Sequence, residues 1–170
     1  MMRLQTPRGF TLVELMITLV VLGILITIGV PSFNDLVQNQ RVKAATSDIY
    51  SSLTLARSEA IKRNAEVNIV RNGSSWSNGW TVQTTDATPV PLKSQAAFTD
   101  IMVSASSSES VIRYRRDGRL NTSAPNMPAP SVVVSLSGNS NVIARCIAVD
   151  PSGRANVKTD TNHDASDGCN

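Results

Sequence analysis

The stretch GFTLVELMITLVVLGILITIGV, residues 9–30, decides the architecture. From Phe10 to Val30 it is rich in Leu, Ile and Val and carries one charge, Glu14. As a helix rising about 1.5 Å per residue, it spans roughly the hydrocarbon thickness of a bilayer. A carboxylate in that setting is costly and calls for a partner. Ahead of the run lies a basic leader, residues 1–9, with Arg3 and Arg8. An ordinary secretory signal places Ala-x-Ala after its apolar stretch; here Pro31, Ser32, Phe33 and Asn34 follow instead. The run is therefore either an uncleaved anchor or the product of a cut on its N-terminal side, at Gly9.

Beyond it, residues 31–64 read as the amphipathic continuation of the same helix. Phe33, Leu36 and Val37, then Ala45, Ile49, Leu53, Ala56 and Ala60, recur at three- and four-residue steps. Arg41, Lys43, Asp48, Arg57, Lys62 and Arg63 mostly fall off that stripe. From residue 65 to 170 the vocabulary changes to short alternating runs. Strands are predicted at EVNIVR, GWTVQTT, IMVSAS, SVIRYRR, SVVVSLS and ARCIAVD, with a short one near RANV. Breakers separate them, among them Asn72-Gly73, Asn78-Gly79, Pro89 and Pro91, Asp117-Gly118, the prolines from Pro125 to Pro130, and Pro151 to Gly153. The predicted class is α+β: a long N-terminal helix, half transmembrane and half amphipathic, packed on a C-terminal antiparallel β domain.

The formal charge is +3, and Arg3 and Arg8 belong to the leader, so the remainder is close to neutral. That argues against a strongly electropositive body. Trp76 and Trp80 bracket Asn78-Gly79, a hairpin signal, and at least one of them belongs to the core. Strand alternation places Arg113 and Arg115 on one face, which reads as a solvated face or as an anion or subunit contact. The only histidine, His163, lies in an Asp-rich tail, and there is no Walker loop, HExxH or zinc spacing. The chain reads as non-enzymatic and without a cofactor. Asp160, Asn162 and Asp164 form the opening of an EF-hand-like calcium loop. Ala165 replaces its turn glycine and only Asp167 is left to stand in for the last ligand, so a solvated loop is the plainer reading.

Two cysteines, Cys146 and Cys169, lie near the C-terminus. Behind a membrane-targeting segment the compartment is oxidising, and a disulfide is the default, with two free thiols as the alternative. The bond would close a loop worth about 3 kcal/mol on the chain-entropy account. No Cys-x-x-Cys spacing suggests redox activity.

The segment PRGFTLVELMITLVVLGILITIGVPSF resembles the prepilin signature of type IV pilins and type II secretion pseudopilins. ARSEAIKRNAEVNI, WSNGWTV, IRYRRDGRL and CIAVDPSGRANV look like the GspH/FimT/FimU group of minor pilins and pseudopilins, with Tyr114 standing where Phe is usual. The resemblance implies cleavage after Gly9 by a prepilin peptidase and methylation of the new amino terminus at Phe10. It implies that Glu14 faces the Phe10 amine of a neighbouring subunit, a charge pair that sets register. It further implies local unwinding between Gly23 and Pro31 in the filament.

The expected protein is thus a minor type IV pilin that primes or caps the pilus tip. Its partners are other minor and major pilins. It is anchored once in the bacterial inner membrane with a periplasmic globular domain, then carried into the pilus at the cell surface. Two alternatives accompany it: a minor pseudopilin of a type II secretion system, and a DNA-binding pilin for uptake. Some members of the group bind DNA through Gly-Arg-x-Arg. The matching positions here are Gly153, Arg154, Ala155 and Asn156, so the second arginine is missing; Lys158, Arg113 and Arg115 complete the candidate DNA-binding set. Some pseudopilins bind calcium near the C-terminus, which is the context for Asp160, Asn162 and Asp164.

Overall fold

The computed structural model describes residues 9–105, 110–121, 130–139 and 142–160, and of Ile28, Pro31 and Ser32 only the backbone. By its internal contacts the chain divides into two units, Met1–Val37 and Gln38–Asn170. One helix, α1 (Leu12–Arg63), contributes to both.

In the first unit the helix carries no charged side chain from Leu15 to Val30. Leu15, Ile17, Leu19, Val21, Leu22, Ile24 and Leu25 are all exposed. Among the described residues no helix is long and apolar enough to cross a membrane. Phe33 and Leu36, expected to open the core-facing stripe, are exposed as well.

In the second unit the stripe is buried from Val42 onward, through Ala45, Ile49, Leu53, Ala56 and Ala60. The small residues in this row let the helix approach the sheets closely, while Thr46 and Ser52 return their hydroxyls to the backbone carbonyls of Val42 and Asp48. The helix stops at Asn64, which takes a left-handed φ of 51°. Ala65 N–H then donates to Ala60 O and Asn64 N–H to Ile61 O, a Schellman arrangement that satisfies the last carbonyls. Lys62 and Arg63 in the last turn suit the negative end of the helix dipole and pair with Glu59.

Among the described residues eight strands follow: β1 (Val67–Arg71), β2 (Trp80–Thr84), β3 (Pro91–Gln95), β4 (Ile101–Ala105), β5 (Val111–Tyr114), β6 (Ser131–Leu136), β7 (Arg145–Val149) and β8 (Ala155–Thr159). They build two antiparallel sheets, ordered β3-β2-β1-β5 and β4-β6-β7-β8. Val67, Ile69, Trp80, Val82, Ile112 and Tyr114 of the first sheet share one core with Ile101, Val103, Val132, Val134, Ile147 and Val149 of the second and with the helix stripe. Alternation along each strand assigns these residues to the inner face.

Three sequence expectations need correction. Pro91, a breaker by its residue type, is instead the first residue of the edge strand β3, where its missing N–H costs no ladder bond. Asn78-Gly79 is not a two-residue hairpin. Trp76–Asn78 forms a 3₁₀ turn capped by Ser75, and Gly79 (φ 88°) closes the longer connection, with Asn72 N–H on its carbonyl at 2.9 Å. A β-carbon on Gly79 would collide with Gln95 O. Both tryptophans are buried, and Trp80 packs on Phe98 with ring centroids 5.7 Å apart. Lastly, β5 ends at Tyr114, so strand alternation does not extend to Arg115. That residue opens a tight turn in which its N–H donates to Arg119 O at 2.8 Å.

Candidate functional site

The N-terminal motif begins with Gly9 and an exposed Phe10. Thr11 precedes the first helical residue, and its Oγ1 accepts the Glu14 N–H at 3.2 Å. In return, Glu14 Oε2 accepts both the Thr11 N–H and the Thr11 hydroxyl at 3.0 Å. This reciprocal pair is a capping box, which satisfies donors that the first helical turn leaves open. Its sequence signature is Thr-x-x-Glu, Thr11 to Glu14, directly before an apolar run. Glu14 thus has an intrachain role, and its side chain remains exposed. Gly23 lies within α1 with nothing within 4 Å of the position a β-carbon would take, and the backbone is helical through Pro31.

A second feature joins three segments distant in sequence. Arg57 of α1 donates its Nε–H to Gly118 O at 3.1 Å. That carbonyl belongs to the Arg115–Arg119 turn and also lies where a β-carbon on Gly153 would stand. Gly153 (φ 83°) is in the β7–β8 turn, held by its N–H on Asp150 O and by Asp150 N–H on Arg154 O. So the turn bearing Arg154 packs against the turn bearing Arg115 and Arg119. Asp150 sits within the cluster, and hydrogen bonds from the Ser152 hydroxyl and then from the Arg154 N–H hold its carboxyl below the usual range. Arg115 lies 3.9 Å from Asp117.

Arg113 stands apart from this group, half-buried in β5 opposite Asn68. Lys158 lies along the exposed edge strand β8, opposite Cys146. Of the candidate DNA-binding residues, then, the structure brings the turns of Arg154 and Arg115 together and leaves Arg113 and Lys158 on strands. Arg57 was missed: periodicity assigns it to the solvated flank of the helix, whereas its partner is a carbonyl 61 residues later.

Cys146 is buried on β7 beside Val133 and Ala144, on the face of its sheet away from the main core. Cys169 lies outside the described residues, as do Asn162, Asp164 and Asp167 of the calcium candidate. Asp160 follows β8, buried, with its N–H on Ala144 O at 3.0 Å.

Against known proteins, a family model described as Type II transport protein GspH matches residues 45–153. Another, described as Prokaryotic N-terminal methylation motif, matches residues 6–30. Two Pseudomonas aeruginosa proteins named Fimbrial protein are each 36% identical over 64 residues, which is 38% of this chain. The chain spans 41% of the length of these curated relatives. Among solved structures, the type IV minor pilin FimU of Pseudomonas aeruginosa superposes with a TM-score of 0.61 at 16% identity, covering 79% of this chain and 99% of FimU. The minor pseudopilin EpsH from the Type 2 Secretion System of Vibrio cholerae gives 0.54 at 10% identity, over 68% and 94% of the two chains. At such identities the likeness establishes the fold alone. The GspH model covers most of the chain and the methylation motif covers its N-terminal end, so the chain belongs to the GspH family of minor pilins and pseudopilins.

Proposed function

We propose that this chain is a minor type IV pilin whose work is assembly: it joins other pilins through its N-terminal helix and helps to prime or cap the filament tip. The observation that carries this is the first unit of the helix, which exposes Leu, Ile, Val and Met residues around its whole circumference. Such a surface is stable only when lipid or other apolar helices cover it. Each Å² so covered contributes about 25 cal/mol, and a non-directional force of this kind leaves axial position undefined. Glu14 supplies the definition: its carboxylate pairs with the methylated Phe10 amine of an adjoining subunit, and wrong registers strand the charge.

Before assembly, residues 10–30 hold the chain in the inner membrane with the β domain in the periplasm. Prepilin peptidase cuts after Gly9 and exposes the Phe10 amine. The fold shared with FimU and the match to fimbrial proteins support the pilus. A second reading, a minor pseudopilin of a type II secretion apparatus, draws on the family description and the likeness to EpsH.

Deletion of the gene separates them. The pilus reading expects loss of surface pili with secretion intact; a secretion defect with normal pili would replace it by the pseudopilin reading.

A further inference from the structure

Tyr50, Thr54 and Arg57 lie at successive turns of α1, beside the buried row of Ile49, Leu53 and Ala56. Facing them is the β7–β8 turn with Gly153, Arg154 and Ala155. These six residues line an open cleft of about 210 Å³. Two are arginines and none is a carboxylate. Arg57 is fixed from behind by its Nε–H bond to Gly118 O, and among the described residues it has no ion-pair partner. A guanidinium carries five N–H donors, so most of those on Arg57 remain for a ligand. Asp150 offsets part of the Arg154 charge, but its carboxylate is engaged by the Ser152 hydroxyl and the Arg154 N–H, and it does not line the cleft.

The geometry points to a docking pocket for a single acidic side chain, an Asp or Glu presented by a neighbouring protein subunit. The inference rests on the assembly reading for the identity of that neighbour. Arginine forks bind carboxylates in a bidentate manner, and Tyr and Arg in a concave pocket are the composition of an interface anchor site. The cleft is smaller than the usual small-molecule pocket. A nucleic-acid backbone is the poorer fit. It needs a track of cations, one for each phosphate, whereas the two arginines here converge on one concavity and Lys158 lies off along β8.

The test uses the full chain in detergent micelles, titrated with a hexaglutamate peptide at low and at physiological salt and followed by NMR at the Arg57 and Arg154 Nε–H and Thr54 amide signals. The expected result is saturable binding at those signals, weakened by salt and reduced about tenfold by Arg154→Ala, with Arg57→Lys also weaker. Arg116→Ala, an exposed turn residue outside the cleft, should bind as the unaltered chain does. Absence of shifts at these signals, or equal binding by Arg154→Ala, overturns the pocket. So does displacement of hexaglutamate by a short DNA duplex at lower concentration, which would give the site to nucleic acid. The titration needs no filament, so its failure alongside normal incorporation into pili would discard the pocket and leave the assembly reading standing.

Discussion

Gly118 and Gly153 touch: the carbonyl oxygen of Gly118 fills the space that a β-carbon on Gly153 would need. Because Arg57 donates to the same oxygen, one atom ties the helix, the Arg115–Arg119 turn and the β7–β8 turn together. A glycine with positive φ is common; a glycine that must also lack a side chain for packing is a stronger constraint.

Gly138 provides the control. Its φ is 85° but nothing lies within 4 Å of its absent β-carbon. Gly138→Ala should therefore cost only the left-handed strain, about 1–2 kcal/mol. Gly153→Ala should cost about 3–5 kcal/mol, because a fixed backbone oxygen must move as well. Urea unfolding of the two variants checks the difference, and equal costs would show that the contact is not tight.

Tyr114 is buried, and its hydroxyl has no hydrogen-bond partner in the described structure. Desolvation by burial pushes its pKa well above the ordinary tyrosine value, with Arg57 opposing and Asp150 adding slightly. The sign follows from proton counts. Above about pH 10 the unfolded tyrosine loses its proton while the folded one keeps it, so stability is full below that pH and falls as pH rises. Tyr114→Phe should raise stability by about 1 kcal/mol at neutral pH by removing an unsatisfied group, and should flatten the alkaline loss. Thermal melts at pH 7 and above pH 10 measure both effects.

Much of the fold could be read from the residues. The alternating runs EVNIVR, GWTVQTT and IMVSAS coincide with β1, β2 and β4, since a strand with one buried face writes its period into the sequence. β3 could not be read so: PLKSQ is a half-exposed edge strand with no such period and a leading proline. The same limit applies to the helix. Phe33 and Leu36 continue the spacing of Ile49 and Leu53, yet one pair is exposed and the other buried, because periodicity records a face and not what covers it. At the sites, Thr11 was legible through its capping box. Arg57 was not, because its partner is a backbone carbonyl reached only through the tertiary fold.

For the cysteines, we expect a Cys146–Cys169 disulfide in chain recovered from the periplasmic side. Alkylation of the denatured, unreduced chain should label no thiol. Reduction should lower stability by about 3 kcal/mol, the loop-closure magnitude. Quantitative labelling without reductant would refute the bond.

The central claim is that the charge of Glu14, and not only its helix cap, governs assembly. Glu14→Gln separates the two, because glutamine serves equally at this position of a capping box but cannot pair with an amine as an ion. The direct measurement is the amount of chain in sheared filaments relative to the membrane pool for Glu14→Gln and Glu14→Ala. Both variants should fall about tenfold or more below the unaltered chain. Normal incorporation of Glu14→Gln would contradict the account and reduce Glu14 to a cap.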